Sequence, residues 1–207
     1  MDTSSLQPQA LDALREVMNI GSAHAATALS QMVHETVDVT APRLEVRSIE
    51  TIPTFVGPPD SVVSVVLLKV LGDAPGVMLL MFPQESAKKI AQALTHHQGQ
   101  TLLDELDHSA LQEVGNVLAG SCFAALSTFL GMSFLQSVPN AATDMLGSLL
   151  DGILSDLGEH FEHVLASEVH FSIPSLKAEG SVFFIFDPQS TQKILAALQR
   201  KFGAASA

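Results

Sequence analysis

The chain has 207 residues, 47% of them hydrophobic and 15% charged, with 10 basic against 22 acidic residues for a formal net charge of -12. That length buries one sizeable core or two small fused ones. The acidic balance argues against a nucleic-acid or membrane-surface partner, because both are polyanionic. A single cysteine, Cys122, excludes an internal disulfide framework and fits a reducing compartment. It lies in the apolar stretch 117–126 and reads as a small core residue. The first residues, MDTSSLQPQALDALREV, have no basic start and no apolar run, so no signal peptide is expected. The longest apolar runs, 62–70 and 77–82, fall short of the roughly 18 residues that a bilayer span needs, and the expected location is cytoplasmic.

Leu11, Leu14, Met18, Ala25 and Leu29 recur at helical spacing and predict a helix over 11–33. Residues 37–39 and 44–49 are β-branched and alternating, which predicts two strands punctuated by Pro42. Residues 61–70 and 76–82 predict a hairpin turning at Gly72-Asp73-Ala74-Pro75. Pro83 then opens a helix that continues over 85–94. The acidic Asp104-Glu105-Leu106-Asp107 suits the positive end of a helix that continues over 109–130. Met145, Leu149, Leu150, Ile153 and Leu157 are spaced for an amphipathic helix over 141–157. Strands over 163–173 and 175–186 and a helix over 188–201 close the chain.

The order repeats itself. An offset of 97 carries Glu16 onto Glu113, Asn19 onto Asn116, Ala28-Leu29-Ser30 onto Ala125-Leu126-Ser127, and Pro42 onto Pro139. Further on, Phe82, Ile90 and Leu94 pair with Phe186, Ile194 and Leu198 at an offset of 104, so seven residues are extra in the second half. Hairpins outnumber parallel crossovers. The expected fold is α+β: a pseudo-two-fold duplicated unit with a roughly six-stranded antiparallel sheet packed with long helices. One domain of two homologous halves, about 8–98 and 105–202, is expected, and packing of the halves about an internal axis predicts a monomer. The helix at 141–157 reads as an extra element of the second half, removable without loss of the fold. Asp144 and Asp151 mark it as a partner surface.

Candidate chemistry concentrates in the repeated helix. Spacings of four and three residues put Asp12, Glu16 and Asn19 on one face, and Ser109, Glu113 and Asn116 repeat the arrangement. A single Glu-x-x-Asn is ordinarily a solvated helix face. Asn, however, is a mediocre helix former that belongs at caps, and here it stands mid-helix twice. Neither copy offers a Ser-His-Asp or Cys-His set, so no covalent intermediate on this chain is indicated. A carboxamide can both donate and accept, which suits it to holding a water. Asp12 and Ser109 divide evenly between partner contact and helix support, and Pro42 and Pro139 read as structural. The close histidines, His96-His97 and His160-x-x-His163, lack a carboxylate or Cys on the same face, so no metal site is expected. Phosphate-cradling glycine loops are absent from the sequence. Seven methionines and eleven phenylalanines without Trp or Tyr read as core filling.

The pattern Asp/Ser-x3-Glu-x2-Asn-x22-Pro occurs as Asp12, Glu16, Asn19, Pro42 and again as Ser109, Glu113, Asn116, Pro139. It resembles the signature of the CheC/FliY/CheX phosphatases of bacterial and archaeal chemotaxis, and the likeness spans essentially the whole chain. Two intact motifs and the insertion at 141–157 look like CheC rather than CheX, which is similar to a one-site version, and FliY-type members add a flagellar-switch domain. The resemblance implies hydrolysis of the aspartyl-phosphate of CheY-P, a phosphorylated receiver domain, by in-line attack of water. Asn19 and Asn116 would orient that water, and Glu16 and Glu113 would pair with a basic residue of the receiver. The receiver would bring its own Mg2+ and lysine, this chain binding no cofactor. The family also implies CheD, a receptor deamidase, as a possible partner. A non-catalytic adaptor for receivers or CheD is the alternative.

Overall fold

A computed structural model describes residues 8–96, 103–158 and 161–203. Its elements run α1 (Pro8–Val33), β1 (Asp38–Val39), β2 (Arg43–Ser48), α2 (Ile52–Val56), β3 (Val62–Gly72), β4 (Gly76–Pro83) and α3 (Gln84–Thr95). They continue through α4 (Glu105–Leu130), β5 (Phe134–Gln136), β6 (Asn140–Met145), α5 (Leu146–Gly158), β7 (His163–Ile173), β8 (Ala178–Phe186) and α6 (Pro188–Gly203).

The described strands form one antiparallel sheet in the order β1-β7-β8-β4-β3-β5, with β2 following β1 along β7 and β6 following β5 along β3. The sheet has eight strands where the sequence predicts about six. The two additions are β5, only three residues long, and β6, whose Asn-Ala-Ala-Thr-Asp-Met is poor in strand formers; both are held by the edge of β3. The outer strands are exchanged between the halves: β1 and β2 pair with β7, and β5 and β6 with β3. In both ladders the register slips by one residue where Pro42 and Pro139 interrupt the pairing. A proline has no N–H to give a ladder, so this break is where it fits.

The predicted two-fold is visible in the pairing. Leu79 and Phe183, equivalent at the offset of 104, face each other in the central β4–β8 pair. On the helical layer the equivalent residues His24 and Ser121 meet, the Ser121 hydroxyl donating to the His24 carbonyl over 3.1 Å. Equivalent residues touch only where an axis passes between them, so the axis runs through the sheet centre and the α1–α4 crossing.

Alternation along the strands gives two cores. Val66, Leu68, Val70, Met78, Leu80, Phe82, Phe184 and Phe186 face α1, α3, α4 and α6, whereas Val63, Val65, Leu79, Phe183 and Ile185 face α2 and α5. Leu14, Met18, Ala25 and Leu29 bury the predicted apolar stripe of α1. The helices approach closely: a Cβ on Gly21 would lie 2.6 Å from Cys122 Sγ, and one on Gly115 would lie 2.6 Å from a methyl of Val66. α4 begins as its acidic turn predicts, Asp104 accepting from the Asp107 amide and Asp107 accepting from the Asp104 amide. α4 ends in left-handed Gly131 (φ 64°), and the equivalent residue after α1, His34, adopts the same conformation (φ 56°). By length and composition α4 could cross a membrane, but Leu111, Val114, Leu118, Cys122, Phe123 and Leu126 are buried inside the protein.

The predicted helix over 141–157 is corrected. Residues up to Met145 are strand β6, and the helix begins at Leu146. Met145, read as part of its apolar face, is 49% exposed, whereas Leu146, Leu150 and Leu154 are buried against the second face of the sheet. The element is not unique to the second half either, because α2 occupies the same place after β2. The seven extra residues are divided. The register of the two hairpins places four between β6 and β7 and three in the β7–β8 turn, where Pro174–Leu176 forms a 3-10 turn ahead of β8. The Leu157 side chain lies outside the described residues.

The halves also differ in filling. Phe123 and Phe134 stack with centroids 6.3 Å apart, while their equivalents are Ala26 and Val37, and a small apolar pocket opens there. Cys122 lines it, and burial pushes its thiol pKa up to about 12. A thiol-labelling reagent is therefore expected to leave Cys122 unmodified at neutral pH and to label it fully after denaturation. A raised folded pKa means that this thiol's contribution to stability is complete below the unfolded value near 9 and is lost as pH climbs toward 12. A melting temperature that falls above pH 9, and falls less in Cys122→Ala, checks the sign.

Candidate functional site

Two candidate sites lie on the long helices. Gly21 on α1 approaches Cys122 and Leu126, while His24, farther along α1, reaches back to Ser121, so the helices run antiparallel. Asn19 and Asn116 therefore diverge from the crossing, about 15 Å apart along the helix direction, and Glu16 and Glu113 farther still. Two separate Glu–Asn pairs result.

Glu16, Asn19 and Glu113 are exposed, and Asn116 is half-buried. Among the described residues neither glutamate has an ion-pair partner. Each carboxylate thus faces water on the same helix face as its carboxamide, one turn away. Asp12 accepts a 2.7 Å hydrogen bond from Arg15, an i,i+3 contact of the helix-supporting kind. Ser109 is exposed at the matching place. Pro42 is buried and Pro139 half-buried, each at the break of its ladder. Among the described residues no group of three His, Cys, Asp or Glu could hold a metal; His97 and His160 lie outside them.

The sites differ in one contact that the repeat conceals. Gln136, the last residue of β5, donates from Nε2 to Asn116 Oδ1 over 2.6 Å and to the Asn116 main-chain carbonyl over 3.0 Å. Its equivalent in the first half is Val39, the last residue of β1, which can make neither bond. Among the described residues the Asn19 side chain has no hydrogen bond. Sequence reasoning passed over Gln136 because the offset of 97 pairs it with an apolar residue; the one available signal was a polar side chain entering a position that is otherwise Val.

A model of the CheC-like family matches residues 10–46, which hold Glu16, Asn19 and Pro42. One of the chemotaxis phosphatase CheX matches residues 64–151, which hold Glu113, Asn116 and Pro139. The CheY-P phosphatase CheC of Bacillus subtilis (strain 168) is 29% identical over 201 residues, 94% of this chain and 96% of that one. Thermotoga maritima FliY shares the fold with a TM-score of 0.73 at 20% identity, covering 95% of this chain and 98% of that one. The CheX–CheY–BeF3–Mg2+ complex from Borrelia burgdorferi matches with a TM-score of 0.58 at 17% identity, covering 84% of this chain and 99% of that one. Fold and sequence together define a protein built on the duplicated sheet-and-paired-helix plan of these relatives. The chain is similar to CheC over nearly its whole length and shares its fold with FliY and CheX.

Proposed function

We propose that this chain accelerates hydrolysis of the aspartyl-phosphate of a CheY-like receiver, with Glu16/Asn19 and Glu113/Asn116 as two working sites. The supporting observation is the carboxylate–carboxamide pair that each long helix presents, with Glu16, Asn19 and Glu113 exposed and Asn116 half-buried. Water attacks phosphorus in line, the bond between phosphorus and the aspartyl oxygen breaks, and the products are inorganic phosphate and the free carboxylate. Such a reaction needs a positioned water and neutralised charge more than covalent help. Asn19 and Asn116 orient the water, and Glu16 and Glu113 pair with a basic group of the receiver to fix the register. On this reading no cofactor is bound here, and the Mg2+ belongs to the receiver.

Decay of a phosphorylated receiver, followed with and without the protein, tests this. Single Asn19→Ala and Asn116→Ala variants are each expected to retain activity, the two residual rates summing roughly to the wild-type rate. A single variant as inactive as the double would mean one composite centre. Binding of the phosphorylated receiver without faster decay would favour the adaptor reading, in which the chain docks receivers or CheD.

A further inference from the structure

We infer that Gln136 is a positioning residue that fixes the Asn116 carboxamide and makes the second site the faster of the two. The inference rests on the phosphatase reading above.

The argument starts from donor and acceptor chemistry. A main-chain carbonyl can only accept, so the Gln136 atom 3.0 Å from the Asn116 carbonyl must be its amide nitrogen. That same nitrogen lies 2.6 Å from the Asn116 side chain, so the Asn116 atom facing it must be the oxygen. The Asn116 nitrogen then points away from Gln136, leaving two N–H donors and one lone pair of Oδ1 for a water. Gln136 spends its donors on both oxygens of one residue, which fixes the amide plane of Asn116 as well as its direction. The Gln136 Oε1 is buried without a partner among the described residues, so the contact retains a polar atom that Val in its place would not bury.

The first site lacks the brace. Val39 ends β1 at the same step of the ladder, paired with Phe171 as Gln136 is paired with Val70. The Asn19 amide is exposed and no hydrogen bond among the described residues fixes its orientation, only some orientations being able to hold a water in line. A fixed carboxamide avoids that loss, which is the advantage of preorganisation in a reaction governed by positioning. The symmetric scaffold thus carries two chemically unequal sites, and the inequality comes from one strand residue outside the helix motif.

The test isolates each site. In the Asn19→Ala background only the second site works, and adding Gln136→Val should lower kcat about fivefold, the rate equivalent of one neutral hydrogen bond, with KM little changed. Gln136→Glu keeps the size but, as a carboxylate, loses the donor, so it should be as slow as Gln136→Val. In the Asn116→Ala background, Val39→Gln should raise the rate of the first site, a gain that no merely structural role of position 136 predicts. Unchanged kcat in Gln136→Val, or a Gln136→Glu variant as fast as its parent, overturns the assignment. Should the wild-type chain prove inactive, the phosphatase reading fails by itself. The brace is then judged by NMR of the Asn116 side-chain amide, rigid in the wild type and mobile in Gln136→Val if it holds, equally mobile in both if it does not.

Discussion

Asn19→Ala combined with Asn116→Ala is expected to abolish receiver dephosphorylation, a loss of about 100-fold or more, while the affinity for the phosphorylated receiver stays within a few-fold of wild type. On the proposed reading, water orientation acts in the transition state, so its removal appears in kcat; docking contacts of Glu16 and Glu113 would act in ground and transition state alike and appear in KM. The fold should be indifferent to the change at Asn19, which is exposed and makes no side-chain hydrogen bond among the described residues. At Asn116 the change frees Gln136, so the double variant should lose a little stability along with all of its rate. Single-turnover decay and a binding isotherm on the same receiver decide it. Affinity lost in proportion to rate would show that the asparagines dock rather than catalyse.

Leu146→Ala is expected to cost about 3 kcal/mol of unfolding free energy, the ordinary penalty for emptying a fully buried leucine site. Leu146 is fully buried at the N-terminus of α5, in the second core with Leu150, Phe55 and Phe183. Removing 140–158 altogether would strip β6 from β3 and uncover that core, so the deletion should not fold. Urea unfolding measures the first effect as a lower midpoint at an unchanged slope. A Leu146→Ala variant within 1 kcal/mol of wild type would return α5 to the status of a removable surface helix.

The contrast between α5 and α1 shows what local pattern can carry. In α1 the apolar period of 3.6 is explicit and in both α1 and α4 the Glu-x-x-Asn pair recurs at the offset of 97, so the helices and the candidate site residues are legible from spacing and repeat together. The repeat at an offset of 97 adds the pseudo-two-fold, because two copies of one element list have few other ways to share a sheet. Around 141–157 the same reasoning misplaces a boundary. Met145 and Leu149 satisfy a helical period, but Asn140–Met145 is claimed by the open edge of β3, a partner more than 70 residues away. Cross-strand hydrogen bonds override a weak local preference, and no window of sequence contains both participants.

The sequence by itself determined the duplication, the long helices, the hairpins, the acidic cap of α4 and the two Glu–Asn pairs, since each is a relation among residues within a turn or two or between equivalent positions. Only the tertiary structure decided that the outer strands are exchanged between the halves, that α5 closes a second core, and that the two sites are unequal. These depend on contacts between elements far apart in the chain: Gln136 reaches Asn116 because β5 lies along β3, beside the helix that carries the asparagine. A repeat records what its copies share, and the brace on Asn116 exists in one copy alone.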